Sequence, residues 1–198
     1  MSQLQNALNV QKAQKAQNAQ NAQNAQNAQN AQKDQKEITY RQLTKADGPT
    51  YYEVLHEGYA SNLDYGVDFS ASHMTEGDVT AWVEIHPTYG LFVDGQLASS
   101  ITLRMPWGPK PGPREFPHIG HFVTSPRFKK QGYAKQMLQW IETVILRDQL
   151  KAPFVTLGTA DTHPWLKDMY LSLGFTITKV TQLPGLSHQT IYFEKKIC

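Results

Sequence analysis

From Phe122 to Leu138 the chain reads Phe-Val-Thr-Ser-Pro-Arg-Phe-Lys-Lys-Gln-Gly-Tyr-Ala-Lys-Gln-Met-Leu. An apolar extended stretch stops at Ser125-Pro126, Lys129 and Lys130 follow, and Gly132 opens a run with helical spacing of apolar residues. The first N–H groups of a helix lack intrahelical partners, and a glycine there lets an anion approach the backbone closely. Such a junction suits a phosphate or pyrophosphate, with the two lysines adding charge and Gln131 a hydrogen-bond donor. An ordinary exposed helix start has the same residues, so the segment indicates a phosphorylated ligand without naming one.

Other side chains invite chemistry less directly. His118 and His121 spell His-x-x-His, but strand alternation predicts rings on opposite faces, so chelation by the pair is not expected. The same alternation groups His118, Gly120, Phe122 and Thr124 on one face. The single cysteine, Cys198, excludes an intramolecular disulfide framework and a cysteine-based zinc site, and no metal is expected. His163, in Asp-Thr-His-Pro, reads as a residue near the start of the last helix, with Asp161 as its cap.

The elements that must position these residues are legible by period and punctuation. Residues 38–43 alternate as a strand, and Asp47 with Pro49 starts a helix bearing Tyr51, Leu55 and Tyr59 on one face. Residues 60–74 read as a loop, and Thr75-Glu76-Gly77-Asp78 as a capping box before a short helix through Trp82. Asp94-Gly95 joins two strands of a hairpin, and five prolines over 106–117 predict an irregular loop. A strand over 118–124, a helix through Ile145, a strand at 154–157, a helix over 166–173 closed by Gly174, and two final strands complete the chain. That order predicts an α/β fold around a mixed sheet.

Residues 1–36 are set apart as a Gln/Asn/Ala low-complexity tail, expected to be disordered, with the globular domain at 37–198. The tail's three-residue unit matches neither the helical nor the strand period, and its only apolar group is a methyl. The domain carries 15 basic and 16 acidic residues, which gives no bulk electrostatic attraction for nucleic acid or an anionic membrane. No stretch approaches the ~18 apolar residues of a membrane span, and a cytoplasmic protein is expected.

The 118–138 segment resembles motif A of the GCN5-related N-acetyltransferase superfamily, with Lys129, Gly132 and Ala134 on its loop pattern and Pro126 before it. Lys129 stands where Arg or Gln is commoner, which keeps a cation but loses the planar fork. Met169 to Phe175 is similar to the family's Tyr-x-x-x-Gly-Phe element. The resemblance implies a mixed, mostly antiparallel sheet flanked by helices and acetyl transfer from acetyl-CoA to a primary amine of a small molecule or peptide. It places the cofactor on Phe122, Val123 and Thr124 and on the loop from Lys129, Lys130, Gln131 and Gly132 through Tyr133 and Ala134. Phe122 N–H would polarise the thioester carbonyl, Tyr170 would protonate the leaving thiolate, and His118 would act as general base. Trp107 and Asp68 lie in loops that would flank the acceptor. A homodimer stays open. The alternative function is a non-catalytic acyl-CoA-binding regulatory or interaction module.

Overall fold

The computed structural model describes residues 36–198 and five positions of the repeat, Gln14, Lys15, Gln17, Gln20 and Asn21, which are helical and exposed. The expectation of a disordered tail over 1–36 otherwise lies outside the described residues. The chain divides into two units, Met1–Glu37 and Ile38–Cys198.

Seven strands build the second unit: β1 (Ile38–Gln42), β2 (Thr88–Val93), β3 (Gln96–Arg104), β4 (His118–Thr124), β5 (Phe154–Ala160), β6 (Thr176–Gln182) and β7 (Gln189–Lys196). They form one sheet in the order β1-β2-β3-β4-β5-β7-β6. Each neighbouring pair is antiparallel except β4 and β5. The mixed, mostly antiparallel sheet expected from the sequence is therefore present. Asp94 and Gly95 both have positive φ, 49° and 77°, as the tight β2–β3 turn requires.

Helices cover both faces. On one side α1 (Gly48–Tyr59) and α2 (Glu76–Ile85) bury Tyr51, Leu55, Val79 and Val83 against Leu43, Leu97 and Val123. On the other, α3 (Tyr133–Trp140) buries Tyr133, Met137 and Leu138 against Ile101, Leu103, Ile119 and Leu157. Beyond α3 the backbone continues as a π-helix, Ile141–Gln149. Its wider turn brings Ile145 and Leu146, four and five residues after Ile141, onto the same buried side. The last helix, α4 (Leu166–Ser172), ends as predicted at Gly174, where Phe175 N–H reaches back to the Tyr170 carbonyl at 3.1 Å.

Local expectations hold at Thr75 and Asp78, whose side chains and backbones form both arms of the capping box, although α2 runs on past Trp82 to Ile85. They fail at two aspartates. The Asp47 carboxylate turns back to Arg41 and Thr44 instead of capping α1. Asp161 accepts from Gln189 N–H at 2.9 Å and so ties the end of β5 to β7, not α4. Within the predicted 60–74 loop, Ala60–Tyr65 and Ser70–His73 wind into 3-10 turns.

The feature that shapes the site is in β4. Ile101 faces Phe122 while Leu103 faces Ile119, so two residues of β3 span three of β4: a β-bulge. On its far side β4 pairs with β5 only at His118–Thr156 and Ile119–Leu157, and beyond these the parallel strands part.

Candidate active site

The parted strands open a cleft of about 550 Å³. Its walls come from β4 (Ile119 to Thr124), β5 (Leu157 to Thr159), the loop entering α3, the end of α1 and α4. Gly58 is what lets α1 lie so close to β4. A Cβ there would stand 2.1 Å from Val123 Cγ2. The close approach brings the next residue, Tyr59, into the cleft.

At one end Lys129, Lys130, Gly132, Tyr133, Ala134 and Lys135 line the opening. Gly132 precedes α3 with φ +82°, a left-handed conformation that side chains resist, and Lys130 also has positive φ, +62°. Left-handed residues beside the first turn of a helix are the backbone pattern of an anion-binding nest. The space before Gly132 is open, since a Cβ would meet only Gln136 Nε2, at 4.0 Å. Cations, the start of a helix and room together fit the pyrophosphate of an acyl-CoA. Gln131 does not line the cleft. Its amide donates instead to the Arg127 carbonyl at 3.3 Å.

In the middle lies the edge of β4. Ser125 N–H bonds to the Ala98 carbonyl on the β3 side, so alternation turns the N–H groups of Phe122 and Thr124 toward the cleft. Phe122 N–H lies close to the Tyr59 hydroxyl, whose pKa burial pushes up to about 12. Thr124 Oγ1 and the Val123 carbonyl are held by Ser99 Oγ, at 2.9 and 2.8 Å. A donor fixed on a strand edge is suited to polarising a carbonyl, because it needs no reorganisation when charge develops.

Tyr170 enters from α4. Its ring packs on Phe175 and Phe193, with centroids 5.8 and 5.6 Å away, and burial raises its phenol pKa, with the neighbouring Tyr59 adding to the effect. A phenol so placed keeps its proton until a strongly basic group forms beside it.

The bulge corrects the sequence expectation for the two histidines. It advances the side-chain alternation by one residue, so Phe122 joins Ile119 on the α3 side, while His118, Gly120 and His121 share the opposite face. His121 lines the cleft, stacks on Trp82 at 4.5 Å and meets the Tyr51 hydroxyl at 3.2 Å. His118 is not part of the lining. It is buried, with Nδ1 at 2.8 Å from Thr156 Oγ1. Burial, reinforced by Arg104, lowers both imidazoles to about 3, so both are neutral. Among the described residues no group of three or more metal-ligating side chains assembles, the two histidines included.

The remaining end is lined by residues that sequence reading did not place there: Asn62, Phe69, His163 and Trp165 beside Tyr59. His163 Nε2 meets Asn62 Oδ1 at 3.2 Å, whereas its Nδ1 is buried without a partner, and burial holds its pKa below the ordinary imidazole value. The Asn62 oxygen can only accept, so Nε2 carries the proton and Nδ1 an unused lone pair. The alternating 3-10 turns and a contact spanning 101 residues leave no periodic trace in the sequence. Trp107 and Asp68 do not line the cleft. Trp107 is exposed, and Asp68 pairs with His73.

Known proteins place this architecture. The model of the acetyltransferase (GNAT) family matches residues 42–175. Over 158 residues, 80% of this chain and 95% of the other, the sequence is 39% identical to the S-(2-succino)cysteine N-acetyltransferase of Bacillus subtilis (strain 168). It is 34% identical to the S-alkylcysteine N-acetyltransferase of the same organism over 139 residues, 70% of this chain and 78% of that one. Among solved structures, the ribosomal-protein-S18-alanine N-acetyltransferase of Escherichia coli superposes with a TM-score of 0.62 at 14% identity, over 81% of this chain and 94% of that one. The PaiA N-acetyltransferase of Thermoplasma acidophilum, solved with coenzyme A, gives 0.61 at 17% identity, over 81% and 99%. Sequence likeness over most of the chain and likeness of fold agree with the cleft: the chain belongs to the acetyltransferase (GNAT) family and is an acetyl-CoA-dependent N-acetyltransferase.

Proposed function

We propose that the acceptor is the α-amine of an S-substituted cysteine or a similar small amino acid, acetylated by direct attack within a ternary complex. The observation that carries this reading is the aromatic lining of the acceptor end by Tyr59, Phe69, His163 and Trp165, a concave apolar pocket that suits a small molecule better than a folded protein surface. The two cysteine-derivative N-acetyltransferases from Bacillus subtilis support it. A non-catalytic acyl-CoA-binding module is not favoured, because the cleft retains proton-transfer groups on both sides of the Phe122 N–H. A cytoplasmic setting, with no nucleic-acid or membrane partner, belongs to the same proposal and rests on the balanced charge of the domain. Among the described residues no helix is long and apolar enough to cross a membrane.

The chemistry follows from the geometry. The pyrophosphate is assigned to the Lys129–Ala134 turn, the pantetheine arm to the free edge of β4, and the thioester oxygen to Phe122 N–H, displacing the Tyr59 hydroxyl. An amine attacks only after losing a proton from its ammonium form. We assign that proton to His163 Nδ1, not to His118, whose Nδ1 is engaged with Thr156 outside the lining. The nitrogen lone pair forms the new C–N bond, the C–S bond breaks, and the Tyr170 hydroxyl gives its proton to the departing sulfur. The acetylated nitrogen sheds its second proton, which passes through water to restore the Tyr170 hydroxyl, and water takes the first proton from His163.

Release of free thiol from acetyl-CoA, measured over a panel of amines, tests the reading. S-(2-succino)cysteine and S-methylcysteine are expected to be turned over with higher kcat/KM than polyamines or peptide N-termini. Cofactor binding without transfer to any amine would establish the binding-module alternative.

A further inference from the structure

Arg104, the last residue of β3, is a cation partly withdrawn from water with nothing to neutralise it. Its Nε is buried and has no hydrogen-bond partner. None of the ion pairs formed by the described residues includes it. The titratable groups whose fields it feels or imposes are His86 at the end of α2, His118 and His121 on β4, and Tyr192 on β7, with Lys110 also close to His86. None of them is a carboxylate. A guanidinium does not escape by giving up its proton, so desolvating it without a counter-charge is costly. A carboxylate offers two parallel hydrogen bonds that offset this cost.

Arg104 is not itself among the residues that line the cleft, but it borders on them. The Arg104 side chain lies against Gly120, whose missing Cβ would stand 3.2 Å from Arg104 Cγ, and both Gly120 and His121 line the cleft. The thioester oxygen is assigned to Phe122 N–H, opposite Ile101, and Arg104 stands three residues further along β3. At the rise of a strand that is roughly 10 Å along the sheet. A carboxylate on the carbon that bears the attacking nitrogen lies only two bonds from it, too near for this distance. A carboxylate on the group attached to a cysteine sulfur lies several bonds further out and spans it.

We propose that Arg104 is the subsite for a carboxylate at the far end of the acceptor, so that the preferred acceptors are S-substituted cysteines whose substituent is itself acidic. The inference rests on the preceding reading of the site as one for S-substituted cysteines, and it separates acidic substituents from plain alkyl ones.

Two measurements test it on the full chain. Succinate, used alone as a probe of the subsite in the presence of CoA, is titrated calorimetrically into the wild type and into Arg104→Gln and Arg104→Lys. Its affinity is expected to fall about 30-fold in Arg104→Gln and by less in Arg104→Lys, the range for losing hydrogen bonds to a charged group. Kinetics then compare S-(2-succino)cysteine with S-methylcysteine. The wild-type preference for the acidic substrate should shrink by a similar factor in Arg104→Gln, chiefly through KM, and survive in part in Arg104→Lys. Succinate binding unaffected by either substitution, or equal losses on both cysteine derivatives, would overturn the proposal. If the wild type acetylates neither derivative while succinate binding still depends on Arg104, the cysteine reading fails and the carboxylate subsite stands.

Discussion

Asn62 and His163 meet at 3.2 Å, one from the 3-10 turn after α1 and the other from the loop after β5. The contact fixes which imidazole nitrogen bears hydrogen, and it leaves Nδ1 as a buried acceptor beside the cleft. His163→Ala should therefore lower kcat by on the order of 10²-fold, with the deficit shrinking at high pH, where more of the acceptor amine is already neutral. Asn62→Ala should cost less, about tenfold, and nothing further when His163 is already absent. A pH–rate profile for the two single variants and the double variant checks this. A deficit independent of pH would remove His163 from proton transfer.

Tyr170→Phe keeps the ring against Phe175 and Phe193 and removes only the hydroxyl. Thermal stability and acetyl-CoA affinity should change little, while turnover falls by about 10²-fold or more. Raising the pH should not restore activity, because it supplies no proton donor. Wild-type turnover in this variant would return Tyr170 to a packing role.

Gly132→Asp puts a side chain on a residue with φ +82° and a negative charge where the pyrophosphate is assigned. Acetyl-CoA affinity should drop by at least about 100-fold through lost anion binding, and the strain of a left-handed non-glycine residue, roughly 1–3 kcal/mol, should lower stability. Calorimetry with CoA reads the first effect and thermal unfolding the second. Near-normal affinity would show that the turn does not hold the diphosphate.

Stability should fall as the solution is acidified. His118 and His121 are lowered to about 3, first by burial and then by Arg104, against about 6.5 in an unfolded chain. Between those values the unfolded state binds more protons than the folded one, so their contribution is complete above about pH 6.5 and is lost progressively toward pH 3. The Tm should be flat from pH 8 to 7 and decline from 6.5 to 5. His118→Gln, which can still bond to Thr156, should reduce the slope. A flat Tm across that range would mean that water or an anion reaches these rings.

What the sequence determined by itself was local. The turn from Lys129 to Ala134, the Asp94-Gly95 hairpin, the Thr75–Asp78 box and the helix closed by Gly174 are set by neighbours a few residues apart, and glycine, proline and capping side chains announce them directly. The Tyr170-to-Phe175 element was legible through its resemblance to the family's motif. Tertiary structure decided the rest. The bulge between Ile119 and Phe122 arises from pairing with β3, carries no period of its own, and turns His121 into the cleft, while His118 stays where β4 is still paired with β5. The parting of β4 from β5, the meeting of Asn62 with His163, and the unpaired charge of Arg104 all depend on residues distant in sequence that pack together only once the sheet has formed.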